Sequence, residues 1–264
     1  MSRIRIKSCR HGPMMYFVND QFIGRSLEIY GEFSKGEFDL FKQIIHPDMT
    51  VLDIGANIGA HTVGLSKLLR GSGRVIAFEP QRTIYHVLCG NLALNDCRNV
   101  EAHLAALGRA PGTIVVPIVD YDADGNFGGL ALGSEQRGEA VPLQTIDGLN
   151  LTNCNFIKID VEGMELEVLS GACSTLRRFK PFLYLENDRE ENSVALIEAV
   201  LALGYRLYWH LPSLFNPDNY FKNESNAFSG VISINMLGIP ANANIHTQGF
   251  REILSPNDKW NVNS

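Results

Sequence analysis

One stretch constrains this chain more than any other: Val51-Leu-Asp-Ile-Gly-Ala-Asn-Ile-Gly59. A short apolar run, a glycine turn and then the helical apolar spacing of residues 60–69 read as strand, loop and helix. Such a loop lets backbone N–H groups and a helix N-terminus come close to a ligand. Gly71-Ser-Gly73 supplies the helix stop. The alternation then continues, with strands expected at 74–78, 99–107, 154–160 and 181–186 and helices at 81–94, 165–176 and 193–203. Segments 205–211 and 231–237 read as late strands with no long helix between them, the pattern of a closing antiparallel pair.

Repeated strand–helix–strand units predict a doubly wound, Rossmann-like α/β fold with a mostly parallel sheet and helices on both faces. In such sheets the ligand lies beyond the carboxyl ends of the strands. That rule selects Asp53, Glu79, Asp160 and the run Glu186-Asn187-Asp188 as site candidates. Residues 112–150 break the alternation. They carry a β-rich run, a turn at Asn126-Phe-Gly-Gly129 and a second apolar run, and so predict a β-hairpin or flap inserted between the third and fourth parallel strands. Residues 1–45 form a lead-in, 46–240 the main domain, and 241–264 a polar tail with little periodicity.

Composition removes several function classes. A net charge of −6 over 264 residues argues against a dedicated nucleic-acid binder. No run of 18 apolar residues occurs, so no membrane span is expected. The apolar run Met14 to Val18 is too short for a secretory leader. Five scattered cysteines without a C-x-x-C motif favour neither a disulfide framework nor a zinc site, and a reducing cytoplasm is the default setting.

Two cofactor classes use a glycine turn after the first strand. A dinucleotide needs a second glycine where backbone approaches the pyrophosphate, but Asn57 stands there. Asp53 at the strand end repels a pyrophosphate and suits a cationic ligand such as S-adenosylmethionine, with its ammonium and sulfonium. Glu79 after the second strand accepts ribose hydroxyls from either. Taken singly, Asp53 reads equally as a loop cap and Gly55 and Gly59 as a tight turn. Their order along the chain favours a cofactor.

At this point the sequence resembles the FkbM family of class I S-adenosylmethionine-dependent methyltransferases. The resemblance rests on Asp53-Ile-Gly-Ala-Asn-Ile-Gly-Ala-His-Thr62, on Phe78-Glu-Pro80, and on Ile157-Lys-Ile-Asp-Val-Glu-Gly-Met-Glu165 followed by Val168-Leu-Ser-Gly-Ala172. It covers roughly residues 30–240. It implies a seven-stranded sheet with the last strand antiparallel, and methyl transfer to oxygen on a sugar, glycan or natural-product acceptor. By motif, Asp53, Gly55, Asn57 and Gly59 would line the methionine end of the cofactor, and Glu79 would take the ribose. Gly31-Glu-Phe33 resembles the family's segment ahead of the first strand, which places Glu32 in the cofactor set. Glu37 reads instead as a solvated helix start.

Asp160 and Glu162 are the expected catalytic pair, because a hydroxyl acceptor needs a base. The plainer reading is that they cap the following helix. A metal is the alternative helper: Asp160, Glu186, Asn187 and Asp188 offer oxygen ligands suited to Mg²⁺. His61 reads as a cofactor contact or as packing, and His103 and His210 as hydrogen-bonded strand histidines. An N-methyltransferase and an NAD-dependent oxidoreductase remain as alternative functions on the same architecture, and a homo-oligomer remains among the expected assemblies.

Overall fold

The computed structural model describes residues 3–70, 72–130, 137–245 and 247–261. Gly71 of the expected helix stop, and part of the 112–150 insertion, lie outside them. The lead-in contains strands β1 (Ile4–Cys9) and β2 (Gly12–Phe17) and helices α1 (Ile23–Tyr30) and α2 (Lys35–Ile44). The alternating part runs β3 (Thr50–Ile54), α3 (Thr62–Leu68), β4 (Arg74–Phe78), α4 (Arg82–Leu94), β5 (Val100–His103) and β6 (Ala106–Leu107). The insertion contributes β7 (Gly112–Pro117) and β8 (Gly138–Gln144), and a 3-10 turn (Asp147–Leu149) follows. The second half comprises β9 (Phe156–Ile159), α5 (Glu165–Ser170), α6 (Cys173–Phe179), β10 (Phe182–Glu186), α7 (Glu190–Ala202), β11 (Tyr205–His210), β12 (Asn235–Pro240) and β13 (Arg251–Ile253).

The main sheet has the order β13-β11-β12-β10-β9-β3-β4-β5. Strands β10, β9, β3, β4 and β5 pair in parallel, while β12 runs antiparallel to both β10 and β11. The resemblance implies seven strands; among the described residues the main sheet has eight, because β13 from the tail adds itself to β11 through Leu207↔Ile253. A three-residue strand carries no periodicity to read, and its anchor, Ile253, is buried only by tertiary contact. The expected third strand divides: β5 stays in the main sheet, and β6 joins β8 and β7 in a small separate sheet. The expected helix 165–176 also divides, with Gly171 ending α5 before α6 begins.

Alternation along the central strands builds a core on each face. Val51, Val75, Ala77 and Phe156 point to one face, where α2, α3 and α4 contribute Phe41, Leu65 and Leu88. Leu52, Ile54, Ile76, Ile157 and Ile159 point to the other, against Val168, Leu176 and Ile197 of α5, α6 and α7. Asp53 and Lys158 fall on the first face and are direct register partners across β3 and β9. Two charged residues therefore stand side by side within an apolar layer.

Candidate active site

The glycine turn is shaped by what lies under it. Gly55 has φ of 79°, and a Cβ there would sit 1.8 Å from the Asp160 carbonyl oxygen. Only glycine lets the end of β9 approach the end of β3 this closely. Asn57 also adopts the left-handed region, at φ 50°, which asparagine tolerates better than most residues. Its Oδ1 accepts the Ile58 N–H at 2.7 Å, and its own N–H donates to Glu79 Oε2 at 2.9 Å. Gly59 faces away from the ligand side, where a Cβ would meet Leu88 of α4. It serves packing.

Above the carboxyl ends of the strands lies a cavity of about 490 Å³. Gly55, Asn57, Glu79 and Gln81 line one part, beside the apolar wall of Phe78, Ala105 and Leu107. Asp160, Glu162, Glu186, Asp188 and Arg189 line another, and Asn126, Gly128 and Gly129 of the insertion close over a side. Glu79 is buried and also accepts the Gln81 N–H at 2.8 Å. Burial pushes its carboxyl up to about 7, against the downward pull of the Gln81 and Asn57 N–H groups.

The acidic loop after β9 is held in shape by Glu165. Glu165 Oε1 accepts the N–H groups of Val161 and Gly163, at 3.2 and 3.1 Å. The N-cap of α5 is Met164, which makes no side-chain cap hydrogen bond, so neither Asp160 nor Glu162 occupies the capping position. One oxygen each from Asp160, Glu162 and Glu186 lie within 4.8 Å of one another. Lys158 Nζ stands 3.1 Å from Asp160 Oδ2, and Arg189 Nη2 donates to Glu162 Oε2 at 2.5 Å. Burial, reinforced by the Asp160 charge, pushes Glu162 up to about 7. Burial and the carboxylates of Asp160, Glu162 and Asp188 hold Glu186 well above the usual range. Its Oε2 is buried without a hydrogen-bond partner. Asn187 leaves the expected oxygen set: its side chain donates to Ser193 and Met236 on the far side of the strand.

Two other expected cofactor residues point elsewhere. Asp53 is 0% exposed and is not among the residues that line the cavity. Its Oδ2 accepts the Thr62 hydroxyl at 2.7 Å, and its Oδ1 lies 3.6 Å from Lys158 Nζ. Its charge therefore meets an internal lysine, which β-strand alternation dictates once residue 51 faces the core. Glu32 is also buried, with its oxygens taken by Arg10 at 2.5 Å, Asn216 at 2.8 Å and the Tyr220 N–H at 2.9 Å. It fastens the lead-in to the 216–220 loop.

Glu37, expected in solvent, lines the cavity at 5% exposure. Its Oε1 accepts the Ser34 hydroxyl at 2.6 Å, and His61 Nε2 lies 3.3 Å from its Oε2. Burial alone would raise its carboxyl, but His61, Ser34 and the Lys158 charge outweigh burial and hold it down to about 2. Sequence reading also missed Gln81, which ties the insertion to the site through the Phe127 carbonyl and the Tyr121 hydroxyl, at 2.8 and 2.9 Å. His210 is a hydrogen-bonding strand residue, bonded to the Tyr184 hydroxyl, and His103 is stacked on Phe78 with its Nε2 3.0 Å from Glu101 Oε1.

A family model described as the methyltransferase FkbM domain matches residues 53–207, more than half of the chain. Methyltransferase sdnD of Sordaria araneosa is 32% identical over 155 residues, covering 46% of this chain and 59% of that protein. The hexuronic acid methyltransferase AglP of Haloferax volcanii is 28% identical over 162 residues, covering 54% of this chain and 59% of that protein. The chain spans just under three fifths of the length of the curated relatives it matches. A methyltransferase FkbM from Methylobacillus flagellatus superposes with a TM-score of 0.51 at 20% identity, covering 74% of this chain and 44% of that one. A precorrin-6y C5,15-methyltransferase from Geobacter metallireducens superposes at 0.50 with 16% identity, covering 77% of this chain and 87% of that one. These two likenesses speak to the fold.

Proposed function

The chain belongs to the FkbM methyltransferase domain family, and from that premise we propose that it transfers a methyl group from S-adenosylmethionine to a hydroxyl of a sugar, glycan or natural-product acceptor. The observation that carries this reading is the pairing of the buried Glu79 with the Asn57 turn at one end of a cavity walled by carboxylates at the other. S-adenosylmethionine, when bound, supplies a methyl group on a sulfonium leaving group. The residues fit it. Each Glu79 oxygen accepts one N–H and keeps a lone pair for a ribose hydroxyl. Asn57 and Gln81 would flank the nucleoside, with Phe78, Ala105 and Leu107 as its apolar wall. A diphosphate in the same place would meet Glu37, Glu79 and Asp160, which disfavours a dinucleotide.

The protein's own work is alignment and proton removal. Alignment in a dry site is worth roughly 7–11 kcal/mol of barrier. With the donor bound, a carboxylate after β9 would take the proton of the acceptor hydroxyl as its oxygen is methylated. Glu162, raised to about 7, is matched to that transfer near neutral pH, and such a base contributes about 10²–10⁴-fold. Asp160, beside the Lys158 ammonium, is the second candidate. The oxygens of Asp160, Glu162 and Glu186 also fit a Mg²⁺ ion, which would acidify a bound hydroxyl.

Calorimetry with S-adenosylmethionine tests the donor site; no heat of binding to the folded protein would refute it. Labelled methyl donor, offered with nucleotide-sugars, sugar acids and aglycones, tests the acceptor class. The name of one relative puts hexuronic acids on that panel. Loss of transfer in EDTA, restored by Mg²⁺, would assign the carboxylate trio to a metal. Transfer undiminished by EDTA would leave it as a base.

A further inference from the structure

The amino-acid end of the donor carries an ammonium, and the fold withdraws the acid expected to meet it. Asp53 is turned into the core and shared between Thr62 and Lys158. Glu32 is used up by Arg10, Asn216 and Tyr220. Of the carboxylates that line the cavity, Glu79 is given to the ribose, and Glu162, Glu186 and Asp188 stand with Arg189, which leaves Asp160, whose carbonyl underlies Gly55, and Glu37. Asp160 already has Lys158 at 3.1 Å. Among the described residues, no lysine or arginine forms an ion pair with Glu37. Its neighbours are a serine hydroxyl and His61, whose buried Nε2 has no hydrogen-bond partner and lies 3.3 Å away.

We propose that Glu37 is the anchor for the donor's α-ammonium, with Ser34 and His61 fixing the direction of its carboxylate. This rests on the S-adenosylmethionine reading above. A carboxylate oriented by a hydroxyl and an imidazole, with no lysine or arginine paired to it among the described residues, is prepared to accept a charge-assisted hydrogen bond from an ammonium. The Lys158 charge also acts on Glu37, but its ammonium stands against Asp160 and Asp53, at 3.1 and 3.6 Å. Lys35 and Lys42 on the same helix instead pair with Asp39.

The test uses three nucleosides and calorimetry. S-adenosylmethionine and its decarboxylated form both keep the amine; 5′-methylthioadenosine lacks the whole amino-acid arm. Glu37→Gln is expected to weaken the two amines by about tenfold to a hundredfold and to leave 5′-methylthioadenosine within about twofold of wild type. Glu37→Asp, which keeps the charge but draws it back by one methylene, is expected to show the same selective loss at smaller size, and it stands in should the glutamine variant not fold. Equal losses for all three nucleosides, or none, would overturn the assignment. A wild type that binds 5′-methylthioadenosine but gains nothing from the amines would overturn it while sparing the donor site. A wild type that binds none of the three would bring down the donor reading itself.

Discussion

Lys158→Met offers the sharpest check on how this site is held together. Lys158 is 2% exposed, and its ammonium lies 3.1 Å from Asp160 and 3.6 Å from Asp53, itself 0% exposed. Methionine preserves the length and volume of the side chain but strands Asp53 as a buried charge without a counter-ion. Breaking a buried pair from one side costs about 3–5 kcal/mol. With a urea slope of roughly 2–3 kcal/mol per molar for a domain of this size, the unfolding midpoint should fall by about 1–2 M. The assay is urea unfolding at pH 7 followed by tryptophan fluorescence, since Trp209 sits in the core. The lysine is held above its ordinary 10.5: burial opposes the charge, and Asp160, Asp53 and Glu37 outweigh burial. Its contribution is therefore complete below that value and fades only as pH rises beyond it, so pH 7 reads the full effect. The double variant Asp53→Asn with Lys158→Met removes both charges and should recover at least about 2 kcal/mol relative to additivity. A single variant within about 1 kcal/mol of wild type, or an additive cycle, would refute the reasoning.

Two further predictions follow from the turn. Gly55→Ala drives a methyl into the Asp160 carbonyl at a positive φ, so a loss of about 3 kcal/mol or more is expected in the same unfolding assay, and an unchanged midpoint would show that the two strand ends are not tightly apposed. Glu79 titrates near 7 because of burial, so only above that value is it a full acceptor for ribose hydroxyls. Affinity for 5′-methylthioadenosine should therefore tighten by up to about tenfold between pH 6 and 8, and Glu79→Gln should flatten the profile; a flat wild-type profile would exclude Glu79 from the nucleoside. The same raised carboxyl makes folding stability fall, not rise, as pH climbs from its ordinary 4.5 toward about 7.

The parts of this fold visible in the sequence are those written in local patterns. The apolar run 51–54, the glycine turn, the strand 74–78 and the helix beyond it depend on residues within a few positions of one another. The strand-end rule then selected Glu79, Asp160 and Glu186 without knowledge of any contact, and all three line the cavity. What escaped was set by distance in the chain. Asp53 and Lys158, 105 positions apart along the chain, are register partners only because β9 inserts beside β3. A lysine between Ile157 and Ile159 in a buried parallel strand was the available sign that some acid must face inward. Glu37 looked like a polar helix start because its neighbours Lys35 and Asp39 are polar; its burial comes from His61 and the turn beneath. β13 is too short to announce itself, and the hold of Glu165 on the Val161 and Gly163 N–H groups shows only in the folded loop.

The contact of Gly55 with the Asp160 carbonyl has a mechanical consequence. The floor on which the nucleoside would rest and the ledge that would carry the proposed proton acceptor meet at a point where no side chain fits between them, so a shift of one must carry the other. Any adjustment to acceptors of different size would then fall to the other lining segments, the lead-in at Phe22 and Phe33, the insertion at Asn126 to Leu130 and the rim at Leu214 and Val231. Acceptor preference can drift in those segments while the reacting geometry stays the same.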